Sequence, residues 1–467
     1  MVFYQIEFLI LLAGLVALLR LIPGGAGGNT WRKLLLLAAS WYFYAYWDWR
    51  FLSLVLAGTL VDYAAGLAMG RVRGTRARRG VLLASLAFDL GTLGYFKYAG
   101  FFLENLAALS GSAPTGPMPV LLPLGISFFT FQRMTYVIDV YRGRMQAEPS
   151  LLHFALFAAF FPTITAGPIT RARDLLPQFR EGRTPTAQRV YLGLRRFTLG
   201  AFKKLVLADR LAPFVDTVFA NPGAFDTPTA WLGAVAYSLQ LYLDFSGYSD
   251  MAIGTAQCLG YDLPRNFDYP YISRNISEFW RRWHISMSTW FRDYLYIPLG
   301  GNRRGTLRTQ ANLLITMTLC GLWHGAGWTF VFWGLLHGVG LMVHRVRRIY
   351  APPPERAHPL AAALSWGLTM LLVLVGWVFF RAPDFAHAWT LLGRMALPAP
   401  GLTWQFPMAW VVLGGVGVVH GLRVLRGPGF SPCPPRAWYA PALLLTLAGL
   451  SILFAPQEFA PFLYARF

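Results

Sequence analysis

Apolar runs long enough to cross a bilayer recur from one end of this chain to the other. They lie at about 3–21, 34–48, 51–69, 80–100, 118–138, 197–221, 229–257, 360–380, 407–425 and 438–456, with a paired segment at about 311–345. A helix needs about 20 mostly apolar residues to span the hydrocarbon core, so these runs predict about 11–12 transmembrane helices. Composition agrees: 55% of residues are hydrophobic and 13% charged, too little polar surface to clothe a soluble core of 467 residues. The expectation is an all-α, polytopic integral membrane bundle with re-entrant segments, forming a single membrane domain over residues 1–467. No internal repeat of the inverted-repeat transporter kind is visible. Phe3 to Leu21 has no basic leader and reads as the first transmembrane helix rather than a removed signal peptide.

The formal charge of +20 is carried by arginines in short loops between the apolar runs. That is the positive-inside pattern and suits anionic lipid headgroups; it does not point to nucleic acid. Arg71, Arg73, Arg76, Arg78 and Arg79 mark one cytoplasmic loop, which places the N-terminus outside. The run 150–168 has basic residues on both flanks, Arg142 and Arg144 before it and Arg171, Arg173 and Arg180 after it. With Pro162, Gly167 and Pro168 inside, it reads as re-entrant, the alternative being an apolar segment at the interface. Cys258, Cys320 and Cys433 are far apart and form neither a disulfide framework nor a thiolate metal site.

Two later segments hold most of the chemistry. Between Gly260 and Arg308, Trp280, Trp283, Met287, Trp290 and Tyr294 recur at helical spacing. Arg281, His284, Ser288 and Arg292 follow on a neighbouring face. The expectation is one amphipathic helix with a polar stripe. From Ala311 to His344 the chain reads ANLLITMTLCGLWHGAGWTFVFWGLLHGVGLMVH between two basic flanks, so it must enter the membrane and return. Two full crossings need about 40 residues. The stretch is shorter, which places its turn, Gly325-Ala326-Gly327, below the outer surface and His324 near the tip of a hairpin.

An ionisable group at membrane depth marks a functional site by default, and His324 is the first candidate. Gly321, Gly325 and Gly327 leave room beside it for a substrate or a close backbone; Gly321 and Gly325 also make a helix-packing Gly-x-x-x-Gly. His284 alone reads as a solvated face residue. His337 and His344 share one helical face without a third ligand, which favours packing or headgroup contact over a metal site. Asp244 lies in an apolar span and needs a partner, with Ser246, Tyr248 or a loop arginine as candidates. No Gly-x-Ser-x-Gly, His-Glu-x-x-His or Walker A sequence is present.

Several ordered stretches carry a resemblance that covers nearly the whole chain. They are MVF at the start, PLGISFFTFQRMTYVIDVYRG from Pro123, FFPTITAGPITRARDLLPQF from Phe160 and YLDFSGYSDMAIG from Tyr242. NFDYPYISRNISEFWRRWHISMSTWFRDYLYIPLGGNR from Asn266 and GLWHGAGWTFVFWGLLHG from Gly321 complete the set. In these the chain resembles the membrane-bound O-acyltransferases, in particular the bacterial alginate O-acetylation branch. The resemblance implies that His324, in Trp-His-Gly, is the essential histidine and that His284 is the second histidine position. It also implies a funnel-shaped bundle with donor and acceptor on opposite sides.

The implied reaction moves an acyl group, with acetyl favoured, from a cytoplasmic thioester such as acetyl-CoA to a polysaccharide hydroxyl outside the bacterial inner membrane. Alginate, cellulose and peptidoglycan are the acceptor classes, reached directly or through a periplasmic acetyltransferase partner. No tightly bound cofactor is expected. His324 acts as general base, and His284 orients the donor or polarises its carbonyl. Asp244, Ser246, Tyr248, Asn275, Trp280, Arg281 and Trp323 are candidate tunnel-lining residues. Arg281, Arg282, Arg303 and Arg304 are placed to attract CoA phosphates or to anchor the chain at the membrane. The readings from other classes are a polysaccharide or lipid-precursor transporter and a non-catalytic scaffold of a secretion complex.

Overall fold

The structure, a computed structural model, describes residues 1–23, 25–111, 121–351 and 358–456. Positions 118–120 of the expected span 118–138 lie outside them. Among the described residues the chain is all-helical, apart from an isolated bridge between Phe225 and Leu402. Its helices are α1 (Ile6–Leu21), α2 (Ala26–Ala45), α3 (Leu52–Arg71), α4 (Thr75–Leu93), α5 (Ala99–Ser110), α6 (Ile126–Tyr141) and α7 (Leu151–Ala159). There follow α8 (Phe161–Ile164), α9 (Ala172–Glu181), α10 (Ala187–Ala201), α11 (Asp209–Ala220), α12 (Thr227–Cys258), α13 (Ile276–Arg282) and α14 (Ile285–Phe291). The last six are α15 (Gly305–His324), α16 (Trp328–Tyr350), α17 (Pro359–Arg381), α18 (Phe385–Ala396), α19 (Pro407–Arg426) and α20 (Ala440–Leu453). Contacts divide the chain into two units, Met1–Phe197 with Tyr248–Pro264, and Thr198–Gly247 with Arg265–Phe467.

Among the described residues, four helices are long and apolar enough to cross a membrane: Trp49–Arg71, α16, α17 and α19. Other expected spans are present as shorter or more polar helices. α1 and α6 have 16 residues and α20 has 14. Within α6 the reason is visible, because Gln132, Arg133 and Asp139 interrupt the apolar run and all three are buried. The chain is a multi-pass membrane protein, with large apolar side chains such as Ile10, Leu18, Leu21 and Trp31 exposed and charged ones enclosed.

In the first unit that inversion centres on Arg133. Its Nε donates to Asp62 Oδ2 at 2.9 Å and its Nη2 to Asp89 Oδ1 at 2.6 Å, so one guanidinium ties α6 to α3 and α4. The Ser85 hydroxyl donates to the other Asp62 oxygen. Gly58 is required beside it, since a Cβ there would lie 2.3 Å from Arg133 Cζ. The apolar run 150–168 forms α7 and α8, broken at Phe160. Both are too short to cross, and Leu156, Phe157, Phe160 and Phe161 are buried within the unit.

In the second unit α15 and α16 form the expected hairpin, joined by Gly325-Ala326-Gly327. α15 starts at Gly305 and takes in Arg308, and α16 runs on past Arg345, Arg347 and Arg348, giving 20 and 23 residues. At 20 residues α15 is about 30 Å long but more polar, and of the two arms α16 is the one long and apolar enough to span by itself. The two helices together are longer than the apolar stretch from Ala311 to His344 that they contain. The arms approach on a glycine seam: a Cβ on Gly321 would meet Phe330 O at 2.2 Å, and one on Gly334 would meet Met317 O at 2.2 Å. Backbone cannot retreat as a flexible side chain can. Gly321→Ala is therefore expected to cost about 1–3 kcal/mol, read as a lower unfolding temperature of the detergent-solubilised protein.

Candidate active site

His324 is the last residue of α15 and is 2% exposed. Its ring is held among aromatic neighbours at centroid distances of 5.0 Å to Trp323, 5.0 Å to Trp333 and 5.3 Å to Phe380. The glycines around it serve the backbone. Gly321 admits the facing helix, and a Cβ on Gly325 would strike the Phe330 ring at 2.2 Å. Of the two uses foreseen for these glycines, close backbone packing is the one seen at Gly321.

His284 departs most from its sequence reading. The expected amphipathic helix does not run through it; the chain breaks into α13 and α14, then a π-helical turn at Arg292–Tyr296. His284 stands at the break with left-handed backbone, φ 43° and ψ 54°, and is fully buried rather than on a solvated stripe. A non-glycine residue held there costs of order 1–3 kcal/mol, and such strain collects at functional sites. Asn266 holds the turn. Its backbone carbonyl accepts from the Ile285 N–H at 2.9 Å, and its Oδ1 accepts from the Ser286 N–H at 3.2 Å and the Ser286 hydroxyl at 2.9 Å. The same Oδ1 lies 3.2 Å from His284 Nδ1.

The two histidines come together. Their ring centroids are 6.3 Å apart, although the residues are forty positions apart in the chain. Trp323 stands 6.0 Å from His284, and Phe245 of α12 meets it edge-on at 4.5 Å. His284 lies outside the helices able to span, and burial pushes its imidazole down to about 3, so it is neutral at ordinary pH. Asn266 and Phe245 escaped the sequence reading as site residues; each lay inside a quoted stretch but had no chemistry of its own to single it out.

The remaining candidates are placed differently. Trp280 packs on Trp333 and on His337 at 5.8 and 5.3 Å, one layer removed from His324. His337 is itself fully buried among these rings, as the packing reading of it expects. Asp244 is 1% exposed and pairs with Lys204, which also donates to Asp209 Oδ1 at 2.7 Å. The expected partners were Ser246, Tyr248 or a loop arginine; Lys204 comes instead from a π-helical turn at Phe202–Ala208. Ser246 is buried beside it in sequence, and Tyr248 falls in the first unit with its hydroxyl 2.5 Å from Thr165 Oγ1. Asn275 caps α13, its Oδ1 accepting from the Glu278 N–H at 2.8 Å. Arg281 is exposed. Arg345 of α16 donates to Asn302 at 3.0 Å, which sets the exposed Arg303 and Arg304 beside the cationic end of that helix.

Comparison with known proteins gives this arrangement its context. The family model for the membrane-bound O-acyltransferase family matches residues 144–381, which contain both histidines. A probable alginate O-acetylase of Pseudomonas putida is 44% identical over 472 residues, covering 94% of this chain and 95% of the relative. The chain belongs to the membrane-bound O-acyltransferase family. It is an O-acyltransferase. A probable alginate O-acetylase of Azotobacter vinelandii is 50% identical over 370 residues, 78% of this chain and 72% of the relative. The peptidoglycan O-acetyltransferase of Helicobacter pylori is 38% identical over 390 residues, 78% and 73% of the two chains. Membership removes the transporter and scaffold readings as primary functions.

Proposed function

We propose that this O-acyltransferase moves an acetyl group from acetyl-CoA at the cytoplasmic face of the bacterial inner membrane to hydroxyls of an extracytoplasmic polysaccharide. The observation that carries the site assignment is the juxtaposition of two buried histidines, 6.3 Å apart ring to ring. The names of the relatives, alginate O-acetylases and a peptidoglycan O-acetyltransferase, support the polysaccharide class.

In this reading His324 takes the proton of the attacking hydroxyl, whose oxygen bonds to the thioester carbon. The C–S bond then breaks, and the leaving thiolate receives the proton back from His324. Imidazole suits both transfers because its ordinary pKa lies near working pH. The aromatic wall of Trp323, Trp333 and Phe380 keeps water from the base, which limits hydrolysis of the thioester. The exposed arginines near α16, Arg281, Arg303 and Arg304, supply positive potential for the CoA phosphates. A periplasmic acetyltransferase that passes the group to the polymer is the expected partner.

Donor identity is tested by free-thiol release from acetyl-, propionyl- and butyryl-CoA, using the purified protein in nanodiscs with acceptor polymer and partner. Acetyl-CoA is expected to be consumed fastest. Equal inertness towards all three would remove the CoA-thioester assignment.

A further inference from the structure

His284 is held by one side chain whose orientation the structure settles. The Ser286 backbone N–H can only donate, and it points at the Asn266 side-chain atom that also receives the Ser286 hydroxyl. That atom is therefore the amide oxygen; the flipped amide would set N–H against N–H. An amide oxygen only accepts. His284 Nδ1, 3.2 Å away, must then carry the ring proton and donate it, which leaves the lone pair of the neutral imidazole on Nε2.

We propose that Asn266 is a positioning residue that fixes His284 in the Nδ1-protonated tautomer, so that Nε2 serves as a hydrogen-bond acceptor for the attacking hydroxyl. A neutral ring so held has no proton on Nε2 to offer a thioester carbonyl. The role moves from polarising the donor to orienting the acceptor. The strained left-handed turn at His284 serves the same end, because it brings Nδ1 and the Ser286 N–H onto one oxygen. The rings packed on His284 come from Phe245, Phe267, Trp323 and His324. Of these, His324 is titratable, and none of the four carries a carboxylate to compete for Nδ1. The proposal rests on the reading that the two histidines form the reaction site.

The test combines a spectrum with kinetics on the full-length protein in nanodiscs. Nitrogen-15 histidine labelling, with His284→Gln to assign the signal, is expected to show the wild-type ring protonated at Nδ1. An Nε2-protonated ring overturns the proposal even if His284→Gln is inactive. An Nδ1-protonated ring in a protein whose His284→Gln variant is fully active overturns instead the reading beneath it.

Asn266→Ala is expected to lower turnover about 10–100-fold and to raise KM for the acceptor while KM for acetyl-CoA holds. Asn266→Asp keeps the acceptor oxygen but adds a charge, which raises the imidazole pKa. The titration profile of the His284 ring, followed by its nitrogen-15 shifts, should therefore move up by about 1–3 pH units. An Asn266→Asp profile that superimposes on wild type assigns Asn266 a merely structural part and contradicts the proposal. Should Asn266→Ala fail to fold, the wild-type spectrum and the Asn266→Asp profile still decide.

Discussion

His324→Ala is expected to reduce acyl transfer by about 10²–10⁴-fold while leaving the unfolding temperature close to that of the parent. The asymmetry follows from the packing. The ring touches Trp323, Trp333 and Phe380, but the hairpin is built on the Gly321 and Gly334 seam, which the substitution leaves alone. His324→Gln, closer in volume and still polar, should be as inactive, because it cannot take and return a proton at neutral pH. Polymer acetylation in cells, measured beside thermal stability of the purified variants, checks both halves. A stable His324→Ala protein with undiminished transfer would remove His324 from the chemistry. Loss of activity together with a large fall in stability would make it a packing residue.

Lys204→Ala is expected to have the largest effect on stability, about 3–5 kcal/mol. Lys204 is buried, and it sits between Asp244 and Asp209. Removing it takes the cation from two enclosed carboxylates, which lose its attraction without regaining water. The consequence reaches the site along α12, because Phe245, next to Asp244, is the ring that meets His284 edge-on. Lys204→Met combined with Asp244→Asn and Asp209→Asn removes charge from both sides and should recover most of the loss. Unfolding temperatures in detergent for the single and combined variants give the comparison. A Lys204→Ala protein as stable as its parent would show that the cluster contributes nothing net.

These expectations separate what pattern can reveal from what it cannot. The α15–α16 hairpin was legible because its signals are local: an apolar run, basic flanks and a glycine turn. The break at His284 was not. Trp280, Trp283, Met287, Trp290 and Tyr294 keep helical spacing straight across it, so periodicity reads as one helix. What ends the helix is Asn266, a polar side chain 18 residues upstream that supplies hydrogen bonds to His284 and Ser286. Lys204 lay hidden for a related reason. Its charge is spent on Asp244, forty residues on, and it sits beside Lys203 within an apolar run where a pair of lysines looks like a flaw in a span. The hairpin's true length was also out of reach, since arginines at a membrane boundary read as its end whether or not the helix continues. His324 was legible from Trp-His-Gly; its nearness to His284 required the fold.

Acyl transfer from a thioester runs, in this mechanism, through a site at His324. The most direct measurement follows radiolabelled acetyl-CoA with wild-type and His324→Ala protein in nanodiscs, supplied with polysaccharide and the periplasmic partner. Release of CoA matched by label on the polymer in the wild type, with neither in the variant, is the predicted result. Equal label transfer by both proteins would contradict it.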